Sequence, residues 1–254
     1  MAKKKEFIQD YVYDFLKGYT DKEGTLHTTF ELEEMGGAEE EAISKADVKR
    51  NGAKIVNTLL AMCCKRIGTL EREDFNKSEW LDIIRSLDVG DQDIMLLRLR
   101  EISKGTEVEA DFECPYCGQK LKNIMETSEF EIQQYNGVDK IEFELPRGFV
   151  DREGNTHTKG IIRRPNGLDR EILDPIARKN IGRANTLMLT RCIESVEGMK
   201  NILDKDVRDL KTRDREYLYN VLKDNQFGIK TVTEVECTEC GEEFEGTLNL
   251  VNFI

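Results

Sequence analysis

The stretch Thr106-Glu107-Val108-Glu109-Ala110-Asp111-Phe112-Glu113-Cys114-Pro115-Tyr116-Cys117-Gly118 has a second version near the end of the chain, in Val235-Glu236-Cys237-Thr238-Glu239-Cys240-Gly241. In the first, Val108, Ala110 and Phe112 alternate with Glu107, Glu109 and Asp111, the period of a strand with one face buried. Ile229 to Glu236 alternates in the same way, so a strand enters each Cys-x-x-Cys-Gly element. Short alternating segments follow, Leu121 to Ile124 and Phe244 to Leu250. Strand, knuckle, strand is half of a zinc ribbon. Zinc favours four soft ligands in a tetrahedron, and one knuckle supplies two of them on a tight turn. Glycine after the second cysteine lets that turn curl through positive φ. The expected ligands are therefore Cys114, Cys117, Cys237 and Cys240 around one structural zinc.

The 119 residues between Cys117 and Cys237 exceed a simple finger spacing. An internal repeat accounts for them. At an offset of 123 residues, Leu87, Asp91, Asp93, Met95, Leu99, Arg100, Glu101 and Gly105 match Leu210, Asp214, Glu216, Leu218, Leu222, Lys223, Asp224 and Gly228. Upstream the offset becomes 128, aligning Asn57 to Leu60 with Asn185 to Met188 and Cys64 with Cys192. Further upstream it is 130, aligning Gly37, Glu39, Glu41 and Ile43 with Gly167, Asp169, Glu171 and Leu173. Matched blocks in preserved order predict two like halves, each giving one knuckle to a shared metal. Two metals completed by outside ligands are the alternative, and each would be two thiolates short. The Gly-x-acidic-x-Glu turn does not suit phosphate, because no Lys-Ser/Thr follows and Glu39 to Glu41 repel anions. Its carboxylates fit helix capping.

The expected fold is α+β: two pseudo-symmetric strand–helix–knuckle halves sharing a split zinc ribbon, residues 25–127 and 128–254, preceded by an N-terminal amphipathic helix over residues 1–24. That helix rests on Phe7, Ile8, Tyr11, Val12, Phe15, Leu16 and Tyr19 at helical spacing. It is read either as packed on the body or as an arm for a partner. A hairpin over Ile141 to Arg163 has no evident counterpart in the first half.

Composition narrows the function. The 254 residues carry 35% charged side chains, a net charge of -12 and a mean hydropathy of -0.55. No apolar run approaches a membrane span, and the first residues lack the apolar stretch of a secretory leader. A reducing cytoplasm is expected, where seven cysteines serve as ligands and core residues. Cys63, Cys64 and Cys192 fall in apolar helical patterns and read as core. The acidic balance opposes general nucleic-acid binding, which needs cations to displace counterions. Arg163, Arg164 and Arg170 read as a solvated face, and His157 as an exposed hairpin residue. Four thiolates close a zinc site, unlike a catalytic centre. With two histidines and no nucleophile or phosphate-loop motif, a non-enzymatic role is expected.

Three pieces together resemble the T4-type bacteriophage baseplate protein family: Gly37 to Glu41, Leu97-Arg98-Leu99-Arg100-Glu101-Ile102-Ser103-Lys104-Gly105, and Cys114 to Gly118. The closing Cys237 to Phe244 fits too, so the resemblance spans about residues 28 to 254. It implies a structural component or assembly factor of a contractile tail baseplate or hub. Its partners would be other tail, baseplate or hub proteins, and it would stand in the virion or, during assembly, the host cytoplasm. Neither membrane nor nucleic acid is an expected partner, and only the cysteines carry over as site residues. From another class, a zinc-ribbon regulator binding polymerase or nucleic acid is the competing expectation.

Overall fold

A computed structural model describes residues 11–45 and 47–248. The chain opens with a strand, β1 (Tyr11–Thr20), paired antiparallel with β2 (Leu26–Leu32). Helices α1 (Gly37–Ile43) and α2 (Gly52–Cys63) follow. The chain then returns through β3 (Cys64–Ile67) and β4 (Leu70–Glu71), completing a four-stranded meander in the order β1-β2-β3-β4. Next come α3 (Lys77–Ser86), α4 (Val89–Lys104) and the hairpin β5 (Glu107–Glu113) with β6 (Lys120–Glu126).

After a short β7 (Ile132–Gln133), the order repeats. The hairpin β8 (Ile141–Val150) and β9 (Thr156–Ile162) leads to α5 (Gly167–Ala177), α6 (Ile181–Cys192) and β10 (Ile193–Val196), the third strand of the β10-β9-β8 sheet. Then come α7 (Asp204–Asp209), α8 (Thr212–Asp224), β11 (Gly228–Ile229), and the hairpin β12 (Val232–Glu236) with β13 (Glu243–Thr247).

The N-terminal amphipathic helix is overturned from Tyr11 onward; Phe7 and Ile8 lie outside the described residues. Tyrosine, valine and phenylalanine favour a pleated surface, and β2 supplies the partner. The pairing register breaks between Asp14 and Tyr19. This bulge resets the in–out alternation, bringing buried Phe15 and Gly18 to a spacing of three, which imitates a helix. The break recurs between Glu144 and Phe149 in β8. The hairpin of the second half therefore does have a counterpart, β1–β2, at the same offset of 130 residues.

The likeness reaches individual contacts. In the first hairpin His27 Nε2 lies 3.0 Å from Asp21 Oδ2, and in the second His157 Nε2 lies 2.9 Å from Asp151 Oδ2. Gly68 and Gly198 pass so close to these imidazoles that a Cβ would stand 2.3 and 2.5 Å from Nδ1. His157 is thus half-buried and bonded, not simply exposed. The block aligned at an offset of 128, Asn57 to Leu60 with Asn185 to Met188 and Cys64 with Cys192, shifts by one residue to 129, since the helices run from caps Asn51 and Asn180 to Cys63 and Cys192. Cys63 ends α2 as Cys192 ends α6, and the carbonyls of both accept from the strand before, from Glu33 N and Arg163 N. Cys63, and not Cys64, is the structural mate of Cys192; the paired cysteines at 63 and 64 concealed the slip. The expected caps form. Glu39 accepts from Gly36 N at 2.8 Å, and Asp169 from Asn166 N at 3.0 Å.

Two apolar cores result. One gathers Phe30, Leu59, Leu60, Trp80, Ile84, Met95 and Leu99 beneath the first sheet, and extends to Phe112 and Val235 under the two cysteine hairpins. The other gathers Phe143, Phe149, Ile162, Leu189, Cys192 and Leu218. The halves meet one-sidedly: α5 packs on α2 and α3, while α1 packs on α2 of its own half. The repeat is one of element order, without reciprocal packing across the whole interface.

Candidate metal centre

Each cysteine turn is built by its hairpin. Cys114 N donates to Gln119 O, and Gly118 N to Cys114 O, both at 2.9 Å. In the second turn Cys237 N donates to Glu242 O at 2.9 Å and Gly241 N to Cys237 O at 2.8 Å. Gly118 and Gly241 share φ of 74°, a left-handed conformation that a side chain would strain. On the inner faces Val108, Ala110, Phe112 and Leu121 of one hairpin meet Val235 and Phe244 of the other. Gly246 permits the approach, since a Cβ there would stand 2.5 Å from the Phe112 ring.

This packing brings all four knuckle sulfurs within 4.8 Å of one another. Cys114 Sγ is 3.7 Å from Cys240 Sγ, and Cys117 Sγ is 3.6 Å from Cys237 Sγ. A tetrahedron of sulfurs about 2.3 Å from zinc has edges of about 3.8 Å, whereas a disulfide needs about 2.05 Å. The arrangement suits a tetrahedral metal with two ligands from each half. Cys114 and Cys237 are buried, and Cys117 and Cys240 stand at the surface. Backbone N–H groups point at the sulfurs: those of Cys240 and Glu239 toward Cys237, Glu242 toward Cys240, and Gln119 toward Cys117. The Cys240 N–H most of all draws the Cys237 thiol down to about 7. Against the N–H groups of Glu242 and Gln119, desolvation and the neighbouring sulfurs hold Cys240 up at about 12 and Cys117 above its ordinary value. Among Cys237, Cys240 and Cys117 the cluster therefore favours Cys237 as the thiolate that binds metal first. The other three cysteines differ. Burial pushes Cys63 and Cys192 up to about 12, and Cys64 upward as well, keeping them as neutral core thiols.

The arginines read as a solvated face are tied into the body. Arg163 and Arg191 share the fully buried Asp169. Arg170 of α5 makes a two-pronged pair with Asp93 of α4, at 2.7 and 3.1 Å. Arg164 is buried against Tyr135 and Phe227, its Nη2 donating to Asn136. Asp91 is the structural residue least visible in the sequence. It accepts from Leu16, Lys17 and Gly18 of β1, pinning the bulge to α4. Its recurrence as Asp214, which accepts from Arg147, was the available signal. Among the described residues no helix is long and apolar enough to cross a membrane.

A family model described as T4 bacteriophage base plate protein matches residues 29–204. The chain belongs to that family. The matched span includes the first cysteine turn and ends before the second. No curated protein and no solved structure matches the chain.

Proposed function

We propose, from membership of this family, that the protein is a non-enzymatic structural component or assembly factor of a contractile phage tail baseplate or hub, acting through contacts with other tail proteins. In this reading Cys114, Cys117, Cys237 and Cys240 hold one structural zinc as a split ribbon that clasps the two halves. The observation that carries the clasp is the convergence of four sulfurs from turns more than a hundred residues apart. Four thiolates complete the coordination of zinc and leave no open position for a reacting group. The metal would supply folding energy.

Elemental analysis of the purified protein is expected to find one zinc per chain, and affinity-purified tail particles to contain the protein or a precursor complex with it. Two metals per chain, or none, would refute the shared site. A protein that binds DNA at low salt and never associates with tail particles would favour the zinc-ribbon regulator.

A further inference from the structure

The seam between the halves uses only one of two matching pairs of surfaces. Within the chain, α5 of the second half sits on α2 and α3 of the first. Arg85 Nη2 pairs with Glu171 at 2.7 Å, Asn51 Nδ2 donates to Glu171 O at 2.7 Å, and Gly52 N donates to Asp174 Oδ2 at 2.8 Å. The corresponding helix of the first half, α1, and the corresponding face of the second, α6 with α7, make no such contact with each other among the described residues. Their residues nevertheless match position by position. Glu41 and Ser44 stand where Glu171 and Asp174 do, Asn180 and Ile181 where Asn51 and Gly52 do, and Arg208 where Arg85 does. Asn180 Oδ1 caps α6 from 2.9 Å, as Asn51 Oδ1 caps α2. Arg215 holds Thr186 as Gln92 holds Asn57. Glu41, Asn180 and Arg208 are exposed, and Ile181 is 65% exposed where Gly52 lies buried. Gly37 is a second, independent observation. Its counterpart Gly167 has to be glycine, since a Cβ would stand 2.1 Å from Gln92 Nε2, whereas a Cβ on Gly37 meets nothing within 4 Å and its φ is not positive. Nothing inside the chain calls for glycine at the start of α1; a close approach like that at Gly167 does.

We propose that α1 of one copy docks on α6 and α7 of a second copy of this chain, repeating between molecules the contact that α5 makes within one. Glu41 pairs with Arg208 of the next copy as Glu171 pairs with Arg85, and Ile181 is covered as Gly52 is. Charge favours the match: Glu39, Glu40 and Glu41 of α1 meet the exposed cations Arg208, Lys211 and Arg213. One pair changes sign, because Arg170 and Asp93 become Glu40 and Glu216. Arg213, three residues before Glu216 on the same face of α8, supplies the cation there. The contact joins unlike surfaces, so it propagates from copy to copy and ends only where a ring closes. It stands apart from the assembly role proposed above, whose partners are other tail proteins.

The test uses the full chain under reducing conditions and reads mass by light scattering as concentration rises. The wild type is expected to grow in steps of 29.3 kDa. E41K and R208E are each expected to weaken self-association at least about tenfold, with melting temperatures unchanged because both side chains are exposed. E41Q, which keeps the size of the side chain and removes its charge, is expected to weaken association too, and covers the case where charge reversal disturbs α1. The decisive sample mixes E41K with R208E in equal amounts. Every junction between unlike variants then joins opposite charges at these two positions, so the mixture is expected to assemble again although each variant alone does not. A wild type that stays at the mass of one chain up to about 1 mM would overturn the proposal, as would one that stops at two copies, since unlike surfaces leave both ends open. Association that E41K and R208E leave untouched, or a mixture no better than either variant, would also overturn it.

Discussion

At the residue scale, Asp91 shows how one buried carboxylate organises an element distant in sequence. The bulge in β1 turns three successive N–H groups away from its partner strand, and buried donors need acceptors. Both oxygens of Asp91 are occupied by them. Burial raises its pKa to about 6 even though the N–H groups of Lys17, Gly18 and Leu16 pull it down. A carboxyl whose folded pKa lies above its ordinary value contributes stability that is present below that ordinary value and lost as pH rises through the folded one. The Asp91 contribution therefore declines between about pH 4 and 6. Asp91→Asn replaces one acceptor oxygen with a donor facing a backbone N–H, so urea unfolding at pH 7 is expected to show a loss of about 1–3 kcal/mol, with a flatter pH slope in that window. An unchanged midpoint and slope would remove Asp91 from this role. In the other half Pro146 stands where Leu16 does and has no N–H, and, separately, Asp214 Oδ2, the counterpart of the oxygen that takes the Gly18 N–H, has no hydrogen-bond partner among the described residues. Sequence alignment brought Asp91 and Asp214 together, but a helix-start aspartate looks the same whether it caps its own helix or holds another strand.

At the element scale, the strands flanking the cysteines were legible because one-sided burial writes a period of two directly into the residues: β5 alternates exposed and buried over its whole length. β1 was illegible because the bulge breaks that period. The device that breaks it is testable. Gly18 and Gly148 adopt φ of 102° and 87°, and a Cβ would stand 2.6 Å from His27 O and 2.5 Å from His157 O. Strain at such positions amounts to about 1–3 kcal/mol. Gly18→Ala and Gly148→Ala are each expected to lower stability by about that amount or more, and by similar amounts, in thermal unfolding. A marked disparity would mean that the two hairpins, though alike in contacts, are not equivalent in energy.

At the scale of the whole molecule, the repeat and the meeting of the four cysteines were readable from order and spacing, whereas the seating of α5 on α2 and α3 was not. That interface depends on Arg85 with Glu171, Arg170 with Asp93, and Asn57 with Gly167 and Glu171, pairs whose members lie more than seventy residues apart and which the repeat aligns within each half but does not pair across them. Among the described residues the halves meet at this polar and helical seam, where α4 also lies against β11, and at the two cysteine hairpins. A metal shared between halves makes a distinctive demand: removing a ligand from either side must disturb the same site. Cys114→Ser and Cys240→Ser are therefore expected to destabilise the protein equally. Loss of a metal site ranks with the largest single effects, about 4 kcal/mol or more, or about 8–16 °C in a chain of this size. A chelator should bring the wild type down to the melting temperature of these variants and leave the variants themselves unmoved. Because the α5 seam remains, the chain should stay folded in both cases, with the amides of β5, β6, β12 and β13 losing most of their exchange protection. Protection lost from only the hairpin that carries the substitution would show that the two turns act separately.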